Sequence, residues 1–111
     1  MVPGPPPPSP PTNRQEELNE IFVDFLQTRN VYFGADENTN MEYPAIEYHY
    51  DDQDAIYADN NPYRRVDAWQ ITCIDRDPSV PVREKVESLN ARFERAYSQD
   101  GLWHRVYFLY Y

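Results

Sequence analysis

The side chains best suited to chemistry in this sequence are three aspartates, two histidines and one cysteine. Asp51, Asp52 and Asp54 offer several carboxylate oxygens within four positions, as a calcium loop would. An EF-hand loop, however, requires glycine at its sixth position and glutamate at its twelfth, and counted from Asp51 these positions hold Ile56 and Pro62. The spacing therefore predicts a solvated, mutually repelling loop or an interface, and no metal ion.

The two histidines and the cysteine are a weak signal for zinc or for a nucleophile. His49, His104 and Cys73 have no two members at ligand spacing, and none lies in a nucleophile motif. We expect His49 on a strand surface, His104 in a hairpin and Cys73 as a small core residue. Three glycines in all leave no glycine-rich phosphate loop. The sequence predicts no catalytic residue, no cofactor and no enzyme; a small hydrolase would need a nucleophile beside a placed base.

Residues 12–30 have the clearest helical pattern. Thr12 or Asn13 can cap the first turn, with Gln15 or Glu16 three residues on. The apolar residues fall at helical spacing and form one stripe: Leu18, Ile21, Phe22, Phe25 and Leu26.

Strand patterns fill most of the remaining chain. A short strand fits 31–33, and 45–50 alternates, with Ile46, Tyr48 and Tyr50 on one face. Residues 51–62 predict a long loop or the tip of an extended hairpin, and 63–76 returns as a longer strand. Its buried face is expected to hold Trp69, Ile71 and Cys73.

A second helix and a terminal hairpin complete the pattern. Ser79, two residues before Pro81, suggests the helix start, and Val82, Val86 and Leu89 would form its buried stripe. Residues 91–97 and 102–111 then read as two strands joined at Asp100 and Gly101, which tolerate positive φ. The predicted fold class is α+β: an antiparallel or mixed sheet of about four strands flanked by two helices, with an extended hairpin or loop.

The chain divides into a proline-rich N-terminal arm, 1–12, and one domain, 13–111. The first thirteen residues carry seven of the eleven prolines and no charged side chain. They favour polyproline II or disorder. The residues alone leave three interpretations of the arm open: it has no role, it lies as a strap on a neighbouring subunit, or it is a ligand for an SH3-type domain.

The composition of the chain limits the kinds of partner that it can bind. Nineteen acidic and ten basic residues give a net charge of −9, which disfavours tight DNA binding. One cysteine excludes an internal disulfide, and no apolar run approaches the ~20 residues of a membrane span. Ten tyrosines, five phenylalanines and two tryptophans are many for so small a core, so they are expected in the core alone or in the core and a subunit interface.

Three blocks of the sequence carry a family resemblance. They are YPAIEYHYDDQDAIYADNNPYRRVDAWQITCIDRDP, PVREKVESL and RFERAYSQDGLWHRVYFLYY, the most specific parts being 58–64 (ADNNPYR) and 74–78 (IDRDP). In this order they resemble the tail terminator, or tail completion, proteins at the head-to-tail junction of long-tailed bacteriophages. The resemblance covers roughly residues 14–111, and the arm lies outside it.

The resemblance implies a structural virion protein, made in the host cytoplasm. Such proteins form a ring, typically a hexamer, that caps the tail tube and contacts a head-completion or neck protein while DNA passes through the lumen. It suggests that the loop faces a neighbouring subunit or the lumen, and that arginines pair with a neighbour's aspartates to set the register. The candidate residues are Asp51, Asp52, Asp54, Tyr57, Asp59, Arg64 and Arg65.

Two alternatives remain from the sequence. The chain could be another ring of the neck, a head-closure or adaptor protein, since those are also small. From a different class, it could be an acidic module that mimics DNA and binds a host enzyme, although its acids and arginines are interspersed along the chain.

Overall fold

A computed structural model describes most of the domain predicted from the sequence. It covers residues 14–36, 38–51, 56–57 and 65–111, with the backbone alone at 56–57 and 65–66. The arm, the predicted caps Thr12 and Asn13, and much of the acidic loop lie outside the described residues.

Helix α1 spans Arg14–Leu26, and helix α2 spans Arg83–Glu87. The predicted stripe of α1 is confirmed, because Leu18 and Phe22 are fully buried and their apolar neighbours pack against the same core. Within the described residues, neither helix is long and apolar enough to cross a bilayer.

The described part of the chain contains seven strands in two sheets. Their bounds are Val31–Phe33 (β1), Ala45–Tyr50 (β2), Ile56–Tyr57 (β3), Arg65–Val66 (β4), Ala68–Asp75 (β5), Arg92–Gln99 (β6) and Leu102–Tyr110 (β7). The main sheet has the order β1-β2-β5-β7-β6, and β3 pairs with β4 in a separate two-stranded ladder.

The α+β class is confirmed, and the sheet is mixed. Strand β1 pairs with β2 in parallel, whereas all other neighbours in the main sheet are antiparallel. The sheet has five strands where about four were expected, because the short segment 31–33 joins it as an edge strand. Parallel pairing of two strands close in sequence leaves residues 34–44 to return along the sheet.

One face of the sheet carries the core, as the alternation predicted. The fully buried residues on this face include Tyr48 on β2 and Trp69, Ile71 and Cys73 on β5, and Tyr107 joins them from β7. Both helices pack on this side, which we call the helix face. The other face of the sheet is also partly shielded from solvent, although neither helix packs there: Thr72 is only 8% exposed and Ile74 only 5%.

Two element boundaries differ from the prediction. The returning strand was expected to run through 63–76, but it is interrupted at Asp67, which exchanges two backbone hydrogen bonds with Tyr111 at 3.1 and 2.9 Å. The second helix was expected to start near Ser79 but begins at Arg83. Ser79 instead donates its N–H and hydroxyl to the Asp77 carboxylate at 2.9 and 2.8 Å, which favours a turn over a helix here.

Candidate subunit interface

The base of the predicted loop is closed by backbone hydrogen bonds. β2 ends at Tyr50 and β5 begins at Ala68, and between them the Asp51 N–H donates to the Ala68 carbonyl at 3.0 Å. The ladder of β3 with β4 continues the hairpin beyond this point, with Tyr57 opposite Arg65. The loop therefore leaves and re-enters the sheet at neighbouring positions.

An aromatic cluster lies on the helix face at this base. The ring of Tyr50 stacks on Trp69 with centroids 4.2 Å apart, and Phe33 meets Tyr50 edge-on at 5.8 Å. Trp69 is fully buried and donates its indole N–H to the Tyr111 carbonyl at 3.3 Å. Tyr50 and Phe33 are each 46% exposed. The cluster thus has a fixed inner ring and two outer rings that a partner can cover.

The predicted loop residues are only partly placed. Asp51 is half-buried at the end of β2, and the backbones of Tyr57 and Arg65 pair across the small ladder. The remaining four, Asp52, Asp54, Asp59 and Arg64, lie outside the described residues. The ion pairs expected between arginines and a neighbour's aspartates therefore stay a prediction.

The opposite edge of the sheet was not singled out by the sequence. All eight side chains of β6 are exposed, and within the described residues the strand pairs with β7 alone. Large rings stand on or beside it: Phe93 is 48% exposed, and Tyr97 and Trp103 are each 40% exposed. The sequence predicted a strand at 91–97, but no local signal reports which strand will end a sheet.

A bridge of three side chains holds Phe93 in place. The Arg105 guanidinium lies over the Phe93 ring, 4.5 Å from its centroid, and its Nε donates to the Tyr107 hydroxyl at 3.1 Å. That hydroxyl donates in turn to Glu87 Oε1 at 2.5 Å. Burial, together with the Glu87 carboxylate and against the opposing effect of Arg105, raises the pKa of Tyr107 to about 12. The bridge ties α2 to the strand beside the sheet edge.

The other face of the sheet has a polar hollow of about 470 Å³. Two side-chain pairs line it: His49 Nδ1 lies 2.9 Å from Glu47 Oε1, and Tyr97 stacks on His104 with centroids 4.5 Å apart and planes 9° apart. Burial lowers the pKa of His104, which favours the neutral imidazole. The hollow is an open polar surface next to β6.

The histidines and the cysteine do not assemble as a metal site. Cys73 faces the core on the side away from His49 and His104, and burial raises the pKa of its thiol to about 12. No three His, Cys, Asp or Glu side chains in the described part of the chain are grouped to hold a metal ion. As expected, His49 lies on the strand surface, His104 in the hairpin and Cys73 in the core.

We compared the chain with protein families, curated proteins and solved structures. No family model, no curated protein and no solved structure matches it.

Proposed function

We propose that this chain is a structural protein of the head-to-tail junction of a long-tailed bacteriophage, a tail terminator that forms a ring, six subunits being the expected number. In this role it caps the tail tube, contacts a head-completion or neck protein, and lets the genome pass through its lumen. The residue blocks at 43–78, 81–89 and 92–111 support the assignment to this family. It acts by shape and not by catalysis.

The observation that carries the proposal is the pair of sheet edges, β1 and β6, that no other described strand covers and that carry large exposed rings. An unpaired strand edge offers backbone donors and acceptors to another chain, and exposed aromatic rings add area that is favourable to bury. Phe33 and Tyr50 supply the rings near one edge, and Phe93, Tyr97 and Trp103 supply them near the other. A small domain with these surfaces is suited to self-assembly.

The charge of the chain fits the passage of DNA. A net charge of −9 repels the phosphate backbone, and the segment between Arg29 and Arg64 contains eight acidic residues and no lysine or arginine. The acidic loop at 51–59 belongs to this segment. Facing the lumen, it would keep the genome from adhering to the ring.

Charge reversal tests the role of the loop. We expect Asp51, Asp52 and Asp54 changed to Lys to hinder ring assembly or DNA ejection, because they replace repulsion of DNA by attraction. The matched control changes three exposed carboxylates elsewhere to Lys: Glu16, Asp24 and Glu84. Particles that assemble and eject DNA normally with the loop variant would remove the loop from the mechanism.

Imaging the particle tests the position. A terminator lies at the head-proximal end of the tail tube, whereas a head-closure or adaptor ring lies above it. Antibody or tag density at the upper neck would assign the alternative ring. Absence from the particle, with capture of a host enzyme instead, would favour an acidic host-binding module and contradict the proposal.

A further inference from the structure

The two edge strands of the main sheet, β1 and β6, run in opposite directions, which suits antiparallel pairing between neighbouring copies. β2 runs toward the acidic loop and β1 runs parallel to it, while β6 runs the opposite way because three successive antiparallel steps separate it from β2. When two copies stand side by side in the same orientation, β6 of one and β1 of the next are therefore antiparallel. Antiparallel pairing is the slightly more stable arrangement per residue.

A single row of residues crosses the sheet and ends in phenylalanine at both edges. The register places Phe33 opposite Tyr48, Tyr48 opposite Ile71, Ile71 opposite Tyr107, and Tyr107 opposite Phe93. The three inner members are fully buried, whereas Phe33 is 46% and Phe93 48% exposed. Because the register links all five residues, Phe33 and Phe93 stand at the same level of the sheet, and both lie on the helix face.

A closed ring requires that the two contacting edges of a subunit present their contact residues at the same height along the ring axis. Cyclic symmetry repeats one head-to-tail contact with no rise along the axis, so edge residues at the same height meet those of the next copy. With the strands set along the ring axis, Phe93 of one copy lies beside Phe33 of the next. The row of five residues would then continue from subunit to subunit.

The segments that carry the two edges differ in charge, the β1 side being strongly acidic and the β6 side close to neutral. Residues 14–51 carry nine acids and two arginines, whereas residues 83–111 carry five bases and four acids. Exposed Arg92 and Arg95 lie on the face away from the helices and flank the level of Phe93. Near the other edge, exposed Asp36 follows Phe33 by three residues. The same arginines disfavour one pairing of β6 with its own copy, because a register centred on Arg95 puts the two Arg95 side chains directly opposite each other.

We propose that the subunit contact is head-to-tail addition of the β6 edge of one copy to the β1 edge of the next, centred on Phe93 and Phe33. This names the contact of the ring described above and rests on that proposed function. Backbone hydrogen bonds supply the affinity, the two rings fix the register, and Arg92 and Arg95 meet the acidic side of the neighbour.

Paired cysteines test the contact. The variant with Phe33→Cys and Phe93→Cys should give, on mild oxidation, a ladder of covalent oligomers up to the ring number, because directly opposed Cβ atoms in a sheet lie within disulfide reach. Each single variant should remain monomeric on a denaturing gel. Cys73 is fully buried and contributes no background.

The matched control is Phe33→Cys with Ser98→Cys. Ser98 is exposed on the same strand and the same face as Phe93. Because of the bulge between Phe93 and Arg95, it lies four ladder positions further along, roughly 13 Å away at strand spacing. No ladder is expected from this pair. A ladder here, or dimers from Phe93→Cys alone, would overturn the proposed register or the head-to-tail contact.

Two further measurements separate the outcomes. Rings seen by light scattering without a ladder of covalent oligomers would overturn this contact and leave the proposed function standing. A chain that never assembles would overturn both.

Hydrogen exchange tests the same contact on the unaltered protein, so the result does not depend on whether a variant folds. Assembly should slow the exchange of the 92–99 and 31–33 amides at least tenfold relative to the dilute protein. Unchanged exchange at these edges on assembly contradicts the contact.

Discussion

Removing the Tyr107 hydroxyl should show how firmly the sheet edge is held. Tyr107→Phe keeps the fully buried ring but removes the hydrogen bonds to Glu87 at 2.5 Å and from Arg105 at 3.1 Å. A hydrogen bond to a charged group contributes about 1.5–3 kcal/mol. Because Glu87 and Arg105 already lie 3.8 Å apart and can pair directly, we expect the free energy of unfolding to fall by only about 2 kcal/mol at neutral pH.

The same hydroxyl makes this difference depend on pH. Burial and Glu87 raise the pKa of Tyr107 from 10.0 to about 12, so the folded state prefers the neutral phenol. Its contribution is complete below pH 10 and is lost as the pH rises toward 12. A shift of this size is linked to about 2.7 kcal/mol, enough to offset the stabilisation expected at neutral pH, so wild type and Tyr107→Phe should converge in stability at high pH.

Urea unfolding at one fixed protein concentration is the assay, because assembly itself stabilises the folded state. Tyr110→Phe is the control: that side chain is 57% exposed, and its loss should change the unfolding free energy by less than about 0.5 kcal/mol. If Tyr107→Phe is as stable as wild type at neutral pH, or if the difference between the two persists unchanged in alkali, the bridge does not hold the edge.

Three further predictions concern the core, the loop base and the turn. Cys73 should not react with a thiol reagent until the protein unfolds, because it is fully buried with a pKa of about 12; fast native reaction would contradict this. In a Trp103→Phe background, Tyr50→Ala should cost about 1 kcal/mol and red-shift Trp69 fluorescence, since the stacked ring at 4.2 Å shields the indole; an unchanged spectrum would argue against the stack. Gly101→Ala should lower stability by about 1 kcal/mol through its φ of 77° alone, as nothing lies within 4 Å of an added Cβ, and thermal unfolding measures it.

Local patterns predicted the elements that depend on local physics. The stripe through Leu18 and Phe22 gave α1, because helical periodicity directly encodes the buried side. The alternation around Tyr48 gave both β2 and its buried face. The turn at Asp100 and Gly101 was predicted correctly because both residues accept the positive φ they adopt, 54° and 77°.

Features set by distant contacts were not predictable. The parallel pairing of β1 with β2 depends on where residues 34–44 turn back, and a three-residue segment carries too little pattern to show it. The start of α2 was misplaced because the Asp77 turn and the positive φ of buried Val80, 42°, delay the helix to Arg83. A β-branched residue in that conformation is held by its burial and not by local preference.

The candidate interface shows the same division. The sequence indicated that the aromatic residues are many for so small a core, and it placed the acidic loop after Tyr50. It did not indicate that Phe33 and Phe93 end one row, because that relation emerges only when four strand registers are combined. Sheet order is a property of the whole fold and leaves no trace at either residue.

The molecular mass of the purified protein in solution tests the central claim most directly. Light scattering across a range of concentrations should find one closed assembly, expected at six times the 13.2 kDa of the chain, with no larger species as concentration rises. A protein that remains a 13.2 kDa monomer at the highest concentration would contradict the ring. So would an assembly that keeps growing, since an unclosed head-to-tail contact makes a filament.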